Sequence, residues 1–193
     1  MISELARKFT EKVFPEIDSE QASLYAYGFF ILFSNSFSLV LVFILGIFMD
    51  IIWESLLFYL VFTILREYSG GIHARKEITC IFCTTLAFVL SIAEIKLLEI
   101  TGGCAIQAVL LVAGTSCIFC LSPLDTPQKP LEVDEHILFG RKSKQICVAV
   151  DLLAIFACVL DVDGVMNAIS MGLALEGILL ITGKIQSKLF DAK

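Results

Sequence analysis

The residues best suited to chemistry lie in one stretch, Arg66-Glu-Tyr-Ser-Gly-Gly-Ile-His-Ala-Arg-Lys-Glu-Ile-Thr-Cys80. His73, one of two histidines in the chain, precedes Cys80 by seven residues, and Arg66, Arg75 and Lys76 stand around them. A thiol is mostly protonated at neutral pH. A nearby imidazole or cation favours the thiolate, which is the nucleophile. The pairing carries a geometric condition. Seven residues on one straight helix share a face but sit about 10 Å apart along the axis. A general base must reach its proton across roughly 3 Å. Gly70-Gly71 offers the needed break, because glycine weakens helix and opens other backbone conformations. The expectation is a turn bearing His73 that folds back toward a helix bearing Cys80. A loop histidine beside an ordinary membrane cysteine would show the same spacing.

Two further sets of residues carry possible chemistry. Cys80-Ile-Phe-Cys83 and Cys117-Ile-Phe-Cys120 have the spacing of a four-thiolate zinc site. Both lie in apolar runs, where residues three apart share a packed face, so neither metal nor cofactor is assigned. Asp151 and Glu176 fall inside hydrophobic runs. An acid there faces the bundle interior, pairs, or marks an ion path. Glu176 could support the site, with Arg66 as a partner; alternatively both acids could serve a small transporter. Asn35 and Asn167 read as hydrogen-bonding links between helices.

The elements that position these residues are membrane helices. The chain has 193 residues, 58% hydrophobic and 18% charged, with a mean hydropathy of +0.87. Soluble domains average roughly 45–50% apolar and about 25% charged. The fold class is therefore an all-α integral membrane protein, a single domain over 1–193. Six runs are long and apolar enough to be spans or near-spans: Leu24–Met49, Ile51–Leu65, Ile78–Ala93, Thr101–Leu121, Gln145–Leu160 and Gly164–Thr182. The second and third are short enough to be thin or re-entrant. Residues 1–20 hold Ile2, Leu5, Phe9 and Val13 at helical spacing, as in an amphipathic helix lying in the membrane interface. Residues 122–144 form the long loop, with Pro123, Pro127 and Pro130. No cleavable signal peptide is apparent. The seven cysteines suggest no disulfide framework. No dense basic cluster suits nucleic acid, and the net charge is −6.

Six spans with a cytoplasmic N-terminus put every Lys and Arg inside except Lys96. The opposite loops are acidic (Asp50, Glu54, Glu94, Glu99, Asp161, Asp163). Short-loop Lys/Arg bias sets orientation. The expected topology has both termini and the His73–Cys80 segment at the cytoplasmic face of the cell membrane.

Arg66, Gly71, His73 and Cys80, followed by Ser-Pro-Leu-Asp-Thr-Pro-Gln-Lys-Pro (Ser122–Pro130), the cluster Arg141, Lys142, Lys144, and Glu176, resemble the accessory gene regulator B family over essentially the whole chain. The resemblance implies a membrane cysteine endopeptidase of quorum sensing. In that family's chemistry, Cys80 would attack a carbonyl of a precursor peptide of the accessory gene regulator D type, with His73 as base and acid. The acidic C-terminal tail would leave, and a thioester would close to a thiolactone or lactone. The tail would meet Arg75, Lys76, Lys129, Arg141, Lys142 and Lys144. Membrane lipids and a second copy of the chain are the other implied partners. Gly164, Ser170, Gly172, Ala174 and Gly177 would permit close helix contact in a homodimer. Glu132, Asp134 and Glu135 dilute the basic loop relative to some members. Arg66, Gly70, Gly71 and Glu176 are candidates for orientation or oxyanion support. No third catalytic residue stands out; Glu67, Ser69 and Glu77 are candidates. A transporter or a non-catalytic membrane scaffold are the competing classes.

Overall fold

A computed structural model describes residues 2–15, 17–71, 77–125 and 132–191. They form seven helices: α1 (Ile2–Val13), α2 (Ser19–Met49), α3 (Ile52–Ser69), α4 (Glu77–Thr101), α5 (Cys104–Leu121), α6 (Val133–Val159) and α7 (Asp163–Asp191). Among the described residues there is no strand, only an isolated bridge between Gly70 and Leu124. The chain is an all-helical membrane protein, with one amphipathic helix followed by six long ones. Ser19–Met49, Ile78–Thr101 and Asp163–Lys188 are long and apolar enough to cross a bilayer by length and composition alone. Of the others, α3 carries Glu54, Arg66 and Glu67, α5 is short, and α6 gathers all its charges but Asp151 in its first half.

The helices outrun several of the expected runs: α2 starts at Ser19 rather than Leu24, α3 ends at Ser69 rather than Leu65, and α7 ends at Asp191 rather than Thr182. The third run extends from an expected Ala93 to Thr101. Lys96 and Glu99, three apart, pair at 2.9 Å and let the helix continue through its charges. The second half of the expected 122–144 loop is helical, because Glu132 and Glu135 form a reciprocal capping box that starts α6. Arg141, Lys142 and Lys144 therefore stand on a helix.

The helix directions follow from which residues meet. Gly46 packs on Ile52 and Ser55, and Tyr59 Oη donates to Asn35 O at 2.9 Å, so α2 and α3 are antiparallel. A Cβ at Gly164 would meet Glu54, one at Gly172 would meet Val61, and Ser69 bonds Glu176. Thus α3 and α7 run parallel. Gln107 bonds Asn167 and Gly177 abuts Cys117, so α5 runs with them. Thr115 meets Asp151 and Ser122 meets Ser143, so α6 runs against α5. The bundle alternates up and down.

Its centre is α7. Every residue from Met166 to Gly177 is buried. A helix covered on all sides must be apolar or small all round, and this stretch is both, save for Asn167, Ser170 and Glu176. The crossing with α5 is close enough that a Cβ at Gly114 would meet Leu173 carbon and oxygen at 2.5 and 2.6 Å. The small residues of α7, which would permit close helix contact in the homodimer the resemblance implies, here serve contacts within one chain. Gly164 lies against Glu54, Gly172 against Val61 and Gly177 against Cys117, while Ser170 and Ala174 are buried. A second cluster of Phe58, Phe62 and Phe88, with ring centroids 5.3–6.3 Å apart, joins α3 to α4. At the N-terminus, Phe9 packs edge-on to Phe29 at 4.9 Å and lays α1 along α2.

Candidate functional site

One end of this bundle gathers the described residues among those singled out for the site, namely Arg66, Gly70, Gly71, Cys80, Arg141, Lys142, Lys144 and Glu176. It is formed by the end of α3, the start of α4, the end of α5 and the start of α6. Of the described cations, Arg66, Arg141, Lys142 and Lys144 are among those that lie here. The opposite end holds Asp50, Glu54, Asp161 and Asp163, with Lys96 paired to Glu99.

The α3 helix stops at Ser69 because Gly70 and Gly71 adopt φ values of +79° and +132°. L-residues rarely take these conformations, whereas glycine does so freely. Space imposes the same requirement. A Cβ on Gly70 would sit 2.5 Å from Leu124 O, and one on Gly71 would collide with the Arg66 guanidinium. Arg66 Nη1 donates to Gly70 O at 2.9 Å, folding the arginine back over its own helix end. The break expected at Gly70-Gly71 is present.

Cys80 lies in the first turn of α4, half-buried, and is a free thiol. First-turn amides lack partners within their helix and concentrate partial positive charge. His73, Arg75, Lys76 and Lys129 lie outside the described residues.

The second motif is tied directly to the first. Leu124 N donates to Ser69 O at 2.9 Å, and Leu124 is buried. The peptide between Ser122 and Pro123 is cis. Ser122 Oγ and Ser143 Oγ share a hydrogen bond of 2.6 Å, which fastens this segment to α6. Pro123 packs on Gly140, where a Cβ would come within 2.8 Å of its ring. The basic end of α6 is held by aromatic contacts. Tyr68 meets Phe139 edge-on at 5.7 Å, and the Lys142 ammonium stands 5.1 Å from the centre of the Tyr68 ring. Arg141 is exposed, and Lys142 and Lys144 are half-buried.

Glu176 completes the assembly from below. It is fully buried on α7 and accepts a hydrogen bond from Ser69 Oγ. Arg66 acts electrostatically on the same carboxylate. Asp151, the other acid within a hydrophobic run, is clasped elsewhere. Thr115 Oγ1 donates to its two oxygens at 2.9 and 3.0 Å. Among the described residues no cluster of His, Cys, Asp and Glu could hold a metal ion.

Arg66, Gly70, Gly71, Glu176 and Lys142 therefore converge from three helices onto one turn. Sequence reasoning quoted Ser122 and Leu124 only as part of the family motif, with no structural role, and passed over Ser143; it named Ser69 as a catalytic candidate rather than as a link to Glu176.

The family model described as Accessory gene regulator B matches residues 2–180. The chain belongs to the Accessory gene regulator B family. An AgrB-like protein of Clostridium perfringens (strain SM101 / Type A) is 30% identical over 142 residues, covering 70% of this chain and 66% of that relative. An AgrB-like protein 2 of C. perfringens (strain 13 / Type A) is 29% identical over 142 residues with the same coverage. The matched region spans about two thirds of each relative, and both are named only for their likeness to AgrB. No solved structure matches. In this AgrB-family chain, the family match takes in the Gly70-Gly71 turn, Cys80, the Leu124 segment and Glu176 alike.

Proposed function

We propose that this chain is a membrane cysteine endopeptidase of a quorum-sensing system, acting at the cytoplasmic face on an amphipathic precursor with an acidic tail. The observation that carries the reading is convergence. Motifs more than fifty residues apart in sequence meet at the Gly70-Gly71 turn, and the next helix opens with a free thiol. Both termini and the basic end of the bundle are then cytoplasmic, as Lys/Arg asymmetry requires.

The chemistry runs in two steps. The Cys80 sulfur attacks the carbonyl carbon at the end of the signal segment, and His73 takes the thiol proton. The C–N bond breaks, His73 returns the proton to the leaving amine, and the acidic tail departs. A thioester then joins the signal segment to Cys80. In the second step a thiol or hydroxyl within the precursor attacks that thioester. Its proton passes through His73 to the Cys80 sulfur, and a thiolactone or lactone is released. Thioester and thiolactone are close in energy, so ring closure needs no ATP. Arg141, Lys142 and Lys144 favour the tail electrostatically. Confinement of both reactants to one membrane plane raises their effective concentration. Asp151 is engaged by Thr115, so the transporter reading gains nothing from it.

The test is reconstitution with a precursor bearing an amphipathic leader, a central Cys or Ser and an acidic tail. Tail loss and a thioester adduct on Cys80 are expected by mass spectrometry. Cleavage by Cys80→Ala would end the reading.

A further inference from the structure

We propose that the buried Ser69–Glu176 hydrogen bond positions the active segment for turnover; this rests on the endopeptidase reading above. Ser69 is a node. Its side chain reaches α7 through Glu176, while its carbonyl receives the Leu124 amide at 2.9 Å. Its hydroxyl also lies 2.7 Å from Leu65 O, so it is held from both sides. The residue after it begins the glycine turn, and Arg66 closes that turn onto Gly70 O. One side-chain contact thus sets three things together: the end of α3, the Leu124 segment and the start of the turn.

The partner residue sits where movement is hardest. Glu176 is fully buried on α7, which is enclosed by α3, α4, α5 and α6, and Gly177 beside it lies against Gly114 and Cys117 of α5. Packed interiors do not deform smoothly. The bond therefore fixes the end of α3 to the most rigid reference in the fold. Five residues separate Gly71 from Glu77, where the Cys80 helix begins. So short a connection limits how far the thiol can stray from the turn. Ser69 and Glu176 do not touch substrate in this proposal; they hold what does. A carboxylic acid buried under a working turn costs stability unless it is bonded, and here its bonded partner is the last residue before the break.

The experiment compares Ser69→Ala, Glu176→Leu, the double variant and Glu176→Gln in proteoliposomes with the acidic-tailed precursor. Initial rates give kcat and KM separately, and thermal unfolding in detergent monitors the fold. Displacement of reacting groups by about 1 Å costs on the order of a hundredfold. Ser69→Ala and Glu176→Leu are expected to lower kcat by about ten- to a hundredfold with KM within about twofold. The double variant should be no worse than the poorer single by more than about twofold, since one contact is removed once. Glu176→Gln keeps the shape and can still bond Ser69, so its kcat should return to within about threefold of the parent. Wild-type kcat in Ser69→Ala or Glu176→Leu, with cleavage still dependent on Cys80, overturns the positioning role alone. So does a kcat loss that follows the loss of folded protein, with Glu176→Gln as inactive as Glu176→Leu. Cleavage that survives Cys80→Ala overturns both readings.

Discussion

The two ends of the bundle are built from different materials. The end around Gly70 is cationic and closely stitched. Backbone meets backbone at Leu124, hydroxyl meets hydroxyl at Ser122 and Ser143, and two glycines occur where no Cβ fits. The opposite end is acidic, and its close approaches are of helix on helix: Gly46 on Ile52 and Ser55, and Gly164 on Glu54. Its Gly102 also has a positive φ of +66°, yet nothing lies within 4 Å of a Cβ placed there. Its buried polar link, Gln107 to Asn167, joins α5 to α7 far from the thiol. Both ends must satisfy polar groups, but only one does so around a turn that precedes the free thiol of Cys80. Close packing serves both ends; among the described residues, the Gly70 end adds a backbone strap from Leu124 and a pair of positive-φ glycines ahead of a free thiol.

That contrast can be broken in order of expected effect. Cys80→Ala should reduce precursor cleavage by more than about a thousandfold. Cys158→Ala, an exposed thiol near the far end of α6, should leave it unchanged. Mass spectrometry of the precursor reads both, and equal loss in the two would erase the distinction between ends.

Gly71→Ala comes next. Its φ of +132° and the guanidinium in the Cβ position both oppose the change. Cleavage should fall by about ten- to a hundredfold. Gly102→Ala meets only backbone strain, on the order of 1–2 kcal/mol, and should lower unfolding temperature slightly at full activity. Parallel assays of rate and thermal unfolding separate the two cases.

Charge is a smaller lever. Removing Arg141 and Lys142 together should raise KM for an acidic-tailed precursor by roughly three- to tenfold at low salt, with the difference shrinking as ionic strength rises. Lys96→Ala at the other end should do neither. A salt-independent defect in the first variant would mean that its role is packing on Tyr68 rather than recognition.

Asn167→Leu should act on stability alone. Interhelix hydrogen bonds in membrane proteins average about 0.6 kcal/mol and reach about 1.7. A loss of that size with unchanged kcat would mark the far end as structural; a selective fall in kcat would not fit the comparison.

Much of this was legible beforehand because it is local. Apolar runs gave the long helices, and the glycine pair gave the break between α3 and α4. The start of α6 was also readable, since Glu132 and Glu135 carry their own capping signal, although proline and charge suggested a loop. The site was only half legible. Its thiol and glycines are neighbours in sequence, whereas its supports are not. Ser69 and Glu176 are 107 residues apart, and Leu124 reaches Ser69 through a backbone amide that any residue but proline could supply. The small residues of α7 left their partner open for a related reason. Small side chains permit close approach without saying to which helix, and Gly172 and Gly177 approach α3 and α5 rather than another chain.

The sequence by itself determined that this chain is a helical membrane protein, that its charges separate along the spans, and where its helix must break before Cys80. These follow from hydropathy, Lys/Arg counts and glycine, which act through neighbours along the chain. The tertiary structure decided that α7 is the buried axis, that Leu124 straps the glycine turn, and that Glu176 belongs to Ser69 while Asp151 belongs to Thr115. Those choices depend on which faces meet once α7 is enclosed, and a buried polar group takes the partner that packing brings to it.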